Sequence, residues 1–369
     1  MNILYVYADN PNEMNCSLHN CIRPAQAVNK LEGYQAITVH VDEFSKNDEK
    51  IQEVAMKADI IVIERNLFGD ALTTMMFYKV RNKPVVCIFD DAYNYMHPLN
   101  ISYPFWHDSK VNVKDDKGNP KIASMRPQPL QQFEWGLNLS DGIQVPSRYL
   151  AKDWESYGLG TYHIPNYIEA EKYLNIEPLF PHDDIIVGWG GSLSHVSSFT
   201  DSGILKALKR VVKKYDNVRI MTSGDKRVYD LIDIPEPQKT FSPFVPEDQF
   251  KSLMKTFDIA LAPLMGEYDR RRSWVKVLEY CAMQMPWIAS DYPTYEKLSK
   301  YGTVTKNTEQ AWYEAICNKI DNLEEAKEYA KGKPFDFAMT QSYDLNMGRT
   351  LKTYQSIINT FNNYHNIKK

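Results

Sequence analysis

The sequence predicts an α/β protein built from two consecutive Rossmann-like, doubly wound domains with parallel sheets. Three observations carry this expectation. The chain has 369 residues, more than a single core usually organises. Continuously apolar runs such as Ile60-Ile61-Val62-Ile63 and Val85-Val86-Cys87-Ile88 read as strands buried on both faces. Such runs alternate with helix-period segments, and that alternation builds right-handed parallel units.

Taken in order, Asn2–Ala8 reads as a first strand, because Met1-Asn2-Ile3-Leu4-Tyr5 has no basic lead-in of the kind that opens a signal peptide. Helix Leu18–Leu31, strand Ala36–Val41, helix Asp48–Lys57, strand Asp59–Glu64, helix Asp70–Arg81 and strand Pro84–Phe89 follow. Tyr93–Pro129 breaks the rhythm as a long irregular insertion, with Lys110, Lys114, Lys117, Lys121 and Arg126 between Trp106 and Gln128. Regular structure resumes with helix Pro129–Leu139, strand Gly142–Val145 and a helix that Ser147 would cap. Residues 1–165 are expected to form the first domain, and 166–184, with Pro178 and Pro181, a linker.

The second domain, 185–345, opens with strand Ile185–Gly188, helix Ile204–Tyr215 and strand Val218–Thr222. Helix Glu247–Phe257, strand Ile259–Ala262, helix Ser273–Met285 and strand Trp287–Ser290 complete its predicted core. Glu309–Lys331 and Thr340–Asn363 read as amphipathic helices, with 346–369 a terminal helix that crosses back to the first domain.

A hydrophobic share of 43% and a charged share of 24% fit a soluble globular protein. Aromatics make up 12%, which serves either core packing or stacking on bases and sugars. A net charge of −4 argues against a general electrostatic grip on nucleic acid. No apolar run approaches the roughly 20 residues of a membrane span. The five cysteines, Cys16, Cys21, Cys87, Cys281 and Cys317, show no paired spacing and fit a reducing, cytoplasmic setting without structural zinc.

The chemistry concentrates in Phe257-Asp258-Ile259-Ala260-Leu261-Ala262-Pro263-Leu264 and Arg270-Arg271-Arg272-Ser273-Trp274-Val275-Lys276-Val277-Leu278-Glu279-Tyr280. A buried strand delivers a loop that opens a helix, at the sheet edge where open α/β folds take ligands. The helix N-terminus offers free N–H groups to an anion, and Arg272 and Lys276 add cations. Lys276 and Glu279 share a helix face. Cations for a diphosphate beside a carboxylate for ribose hydroxyls describe a nucleotide-sugar site; a solvated basic lead-in to an amphipathic helix is the bland alternative.

At these residues the chain resembles retaining GT-B glycosyltransferases of the glycosyl transferases group 1 type, in a branch found in bacterial and phage genomes. Ile186-Val187-Gly188-Trp189-Gly190-Gly191-Ser192-Leu193-Ser194-His195 resembles that branch's glycine turn, and Phe89-Asp90-Asp91 its paired Asp after a strand. Ser140-Asp141-Gly142-Ile143-Gln144-Val145-Pro146-Ser147, Ile164-Pro165-Asn166-Tyr167-Ile168 and Asp291-Tyr292-Pro293-Thr294-Tyr295 fall in the same order along the chain. The resemblance implies two domains facing a cleft, with Glu279 on the donor ribose and Lys276, Arg272 and Ser273 on the diphosphate. Gly190, Gly191 and Ser192 would bring backbone N–H groups to the phosphates. Phe241 is either a nucleobase stack or a core residue, and His195 either a phosphate or sugar contact or a satisfied structural histidine. Asp90 and Asp91 either orient and deprotonate the acceptor or form a turn pair, with His97 a further sugar-contact candidate.

Two positions depart from the family pattern. Arg271 stands where better-known relatives carry a Glu eight positions before the ribose-binding one, and the usual Arg and Lys after the glycine turn are absent, with His195 near their place. The expected activity is transfer of a hexose from a nucleotide sugar, UDP-glucose first, with retention and without metal or cofactor. The expected acceptor is a glycan or, through the basic insertion, a modified base in phage DNA. A catalytically idle relative serving as a binding or partner module is the alternative. Leu193 occupies the third glycine's position of a dinucleotide fingerprint, which makes a nicotinamide-dependent enzyme a poor rival. The absence of Asp-x-Asp, G-x-x-x-x-G-K-[ST] and G-x-S-x-G argues against metal-dependent GT-A, P-loop and α/β-hydrolase chemistry.

Overall fold

The computed structural model describes residues 1–11, 15–114, 117–192 and 194–365. Its first sheet comprises β1 (Asn2–Tyr7), β2 (Gln35–His40), β3 (Ile60–Glu64), β4 (Val85–Ile88), β7 (Gly142–Val145) and β8 (Thr161–His163), all parallel in the order β2-β1-β3-β4-β7-β8. Between β4 and β7 lies an antiparallel hairpin, β5 (Lys110–Lys114) with β6 (Pro120–Ser124). The expected irregular insertion is thus in part regular, because the two short strands pair only with each other.

The second sheet comprises β9 (Ile185–Gly191), β10 (Val218–Gly224), β11 (Lys239–Ser242), β12 (Ile259–Ala262), β13 (Trp287–Ser290) and β14 (Thr303–Thr305), parallel in the order β11-β10-β9-β12-β13-β14. Both sheets are doubly wound, as the sequence predicts. Each reverses its strand order once, between β1 and β3 in the first and between β9 and β12 in the second. Those two points open the crevices in which such sheets take ligands.

The central strands are apolar because helices cover both of their faces. Ile61, Ile63, Val85 and Cys87 face one layer with Phe44, Met75, Tyr78 and Phe133, while Ile60, Val62 and Val86 face the other. That second layer is completed by the helix Tyr343–Tyr364, whose Met347, Leu351, Tyr354, Ile357 and Ile358 pack on the first sheet. The chain therefore crosses between domains twice, and the crossings lie side by side: Ile168 and Ser342 form a parallel bridge. Burial of each such large side chain contributes about 1.5–3 kcal/mol.

Several predicted bounds shift. Strand β9 runs to Gly191, so the glycine segment is strand rather than turn. Glu309–Lys331 is two helices, Glu309–Asp321 and Leu323–Lys331, broken at Asn322. The helix expected from Ser273 spans Val275–Ala282. Ser147 does cap Arg148–Asp153, its Oγ accepting from Leu150 N at 3.1 Å. Among the described residues no helix is long and apolar enough to cross a membrane.

Candidate functional site

The cleft between the domains is lined by the two reversal points. On the second domain's side, β12 delivers Pro263-Leu264, the short helix Gly266–Arg270 and then Val275–Ala282. Asp269 organises this turn. It is buried, and its Oδ2 accepts from Met265 N at 2.8 Å and Ser198 Oγ at 2.5 Å. Its Oδ1 accepts from Arg272 Nε at 2.7 Å, and Arg272 Nη2 donates to Ser194 Oγ at 2.6 Å.

Lys276, in the first turn of Val275–Ala282, donates to the carbonyl of Gly190 and lies 5.4 Å from the Trp189 ring centroid. Burial and then the neighbouring Arg272 pull its pKa down to about 8, against the opposing pull of Glu279 and Asp269. His195 is 4% exposed, and its Nδ1 has no partner among the described residues. Burial, then Arg272 and Lys276, hold it neutral by lowering its pKa well below the usual range. Two cations, a neutral imidazole with a free ring nitrogen and a helix N-terminus thus meet at one strand end.

The glycines of this segment have a packing reason of their own. A Cβ on Gly190 would sit 2.5 Å from Met254 Sδ, and one on Gly191 would sit 2.3 Å from the Trp189 ring. Close approach of neighbouring side chains requires glycine here before any ligand does. Ser192 is exposed, with its Oγ 3.0 Å from that of Ser194, whereas Leu193 lies outside the described residues. Ser273 is half-buried and its Oγ accepts from Val275 N at 3.3 Å.

Glu279 is buried, only 8% exposed. Its Oε1 accepts from the Tyr173 hydroxyl at 2.6 Å and lies 4.0 Å from His19 Nε2 of the first domain. The helix face it shares with Lys276 turns toward the domain junction, which no helical spacing reveals. Phe241 is half-buried on β11, its ring 5.6 Å from that of Tyr229. Phe244, three residues on, is 58% exposed, and its ring would lie 3.1 Å from a Cβ on Gly224, at the carboxyl end of β10. It is the more exposed of the two rings.

Arg271 spans the domains. Its guanidinium pairs with Asp153 of the first domain and, at 2.7 Å, with Glu267, and lies 3.9 Å from the Tyr95 ring centroid. Its carbonyl accepts from Ser147 Oγ at 2.7 Å. The position that departs from the family pattern is therefore an interdomain contact.

Asp90 and Asp91 leave β4 toward the cleft. Asp90 is half-buried with its Oδ1 enclosed and without a partner among the described residues. Burial, then the like charge of Asp91, push its pKa up to about 7. Asp91 lies beside Tyr268 and Arg272 of the second domain. The structure thus brings Asp90, Asp91, Arg272, Lys276 and His195 to one cleft. Among the described residues no contact brings His97 there: its Nδ1 accepts from Leu99 N at 3.1 Å and its carbonyl from Asn100 N at 2.8 Å, the pattern of a turn.

Residues 191–322 match the family model described as glycosyl transferases group 1, a span from the last residue of β9 through Glu309–Asp321. No curated protein matches the chain significantly. Solved structures do. A sucrose-phosphate synthase from Thermosynechococcus elongatus is 12% identical, with 98% of this chain and 100% of that one covered and a TM-score of 0.64. Anabaena HepE in complex with UDP and glucose is 12% identical, with 96% and 99% covered and a TM-score of 0.63. A Listeria monocytogenes protein assigned as a UDP-N-acetylglucosamine 2-epimerase is 9% identical, with 96% of each chain covered and a TM-score of 0.57. The chain has the GT-B fold, and its second domain is similar over residues 191–322 to glycosyl transferases group 1.

Proposed function

We propose that the protein transfers a sugar, glucose first, from a UDP-sugar held by the second domain to a hydroxyl of a glycan, with retention and without a metal. The observation that carries this reading is the group formed by half-buried Arg272 and Lys276 with the buried, neutral His195 at the reversal point between β9 and β12. As the glycosidic bond breaks, its electron pair leaves with the diphosphate, and negative charge grows where these cations and the helix N–H groups stand. Glu279 binds ribose hydroxyls from within its contact with Tyr173, Phe244 stacks on the base, and Asp90, with a pKa near 7, receives or directs the acceptor proton. The GT-B fold shared with UDP-bound HepE supports the choice of donor.

The idle alternative has one observation in its favour: Arg271 is spent on Asp153, so no carboxylate reaches the sugar from that position. A panel of nucleotide sugars, tested for binding and for release of free sugar without acceptor and with chelator present, decides between them. UDP-glucose binding with slow, chelator-resistant hydrolysis is expected. Binding without any hydrolysis or transfer leaves the idle module, and no binding by any nucleotide sugar overturns both.

A further inference from the structure

The linker between the domains grips the helix Val275–Ala282 at both ends. Just before its first turn, Trp274 Nε1 donates to the carbonyl of Asn166 at 2.9 Å. In its last turn, Glu279 Oε1 accepts from the Tyr173 hydroxyl at 2.6 Å. Tyr173 closes the short turn Ala170–Tyr173 and is itself buried.

The segment that carries Tyr173 is fixed independently of Glu279. Ile168 is buried; its N–H donates to Gln341 O at 3.1 Å and its carbonyl accepts from Tyr343 N at 3.0 Å. Arg23 of the first domain, also buried, sets its Nε 2.9 Å from Glu169 Oε2, and Lys172 Nζ reaches the same oxygen at 2.9 Å. The Tyr173 hydroxyl is therefore already in place when Glu279 meets it. A glutamate side chain that would otherwise spread over several rotamers is held in one by a charge-assisted hydrogen bond.

This contact takes up one oxygen of the carboxylate. Among the described residues Glu279 Oε2 accepts no hydrogen bond, and the side chain keeps 10% of its surface open. His19 Nε2, at 4.0 Å from Oε1, is beyond hydrogen-bond range. Lys276 stands one turn earlier on the same helix. A carboxylate held at one oxygen and open at the other is pre-aligned to accept from a ligand, and a ribose hydroxyl is a donor of the right kind.

We propose that Tyr173 is a positioning residue for the nucleotide. It fixes the Glu279 carboxylate so that Oε2 meets a ribose hydroxyl, and the linker thereby sets the preference of the site for ribose over deoxyribose. The inference rests on the donor site proposed above and adds to it a residue outside the family-matched span 191–322.

The test is calorimetry with UDP and with its 2′-deoxy and 3′-deoxy analogues. The unaltered protein should prefer UDP to at least one analogue by about tenfold or more, the worth of a hydrogen bond to a charged group. Tyr173→Phe keeps the ring and removes only the hydroxyl. The preference should then fall to about threefold or less through weaker UDP binding, with affinity for that analogue changed less than about twofold. Glu279→Gln should erase the preference, and combining the two substitutions should lose nothing further, because both act through one carboxylate. An unchanged preference in Tyr173→Phe, equal losses for UDP and the analogue, or additive losses in the double variant would overturn the proposal and leave the donor site standing. No UDP binding by the unaltered protein defeats the donor site and this role with it. UDP binding without any ribose preference defeats the roles of Tyr173 and Glu279 alone.

Discussion

The two sides of the cleft are built by the same topological device and carry opposite charge. Each lies where a doubly wound sheet reverses its strand order, β9 against β12 on one side and β1 against β3 on the other. The second domain fills its reversal point with Arg272 and Lys276. The first fills its own with Asp9, Glu64, Asp90 and Asp91 around Arg65. The fold supplies the place, and the side chains decide what can be held there. A cationic side facing an anionic one suits a reaction that moves a neutral sugar away from a diphosphate.

The strongest way to break this contrast is to remove its cations. Arg272→Ala should lower turnover by about a thousandfold, because it deletes a charge at the leaving group and strands the buried Asp269. A loss under tenfold would move the diphosphate elsewhere. Lys276→Ala should lower turnover by about a hundredfold, with the same hydrolysis assay as the readout.

The pH profile of kcat/KM sharpens both sides at once. Asp90, raised to about 7, is the proton-accepting form only above that pH, and Lys276, lowered to about 8, is a cation only below that one. Activity should therefore peak between about pH 7 and 8 and fall about tenfold per unit on either side. Asp90→Asn should erase the acidic limb; an unchanged limb removes Asp90 from proton transfer.

Glu279→Gln keeps the volume and the Tyr173 contact but loses the charge, so UDP affinity should fall about tenfold in calorimetry. Alanine is the poorer test, since it also removes the buried carboxylate that accepts from the Tyr173 hydroxyl, a structural loss of about 1–3 kcal/mol. The smallest effect on chemistry is expected at Arg271. Arg271→Ala should cost about 1–2 kcal/mol of thermal stability through Asp153 while changing UDP affinity less than about twofold.

Legibility in the sequence followed the range of the interaction. Ile60–Glu64, Val85–Ile88, Gly142–Val145, Ile259–Ala262 and Trp287–Ser290 were readable because burial on both faces makes their apolar runs continuous. Thr161–His163, Lys239–Ser242 and Thr303–Thr305 were not, because they are sheet edges of three or four largely half-buried residues that become strands through one neighbour each. Arg272, Ser273, Lys276 and Glu279 stood out as one loop and helix start. Asp9, Cys16, Glu64, Arg65 and Tyr93 did not, since they come from the segments at and after three strands, spread along the chain, and share no spacing.

By itself, then, the sequence determined the two parallel sheets, the placement of cations at the opening of Val275–Ala282 and the departure at Arg271. Those are local properties, set by hydrophobic period and by residues adjacent in the chain. Only the tertiary structure decided that Glu279 is buried against Tyr173 and that Arg271 crosses to Asp153. The anionic side of the cleft was decided there too. Each depends on segments brought together when the two sheets dock, and no pattern within one segment encodes that meeting.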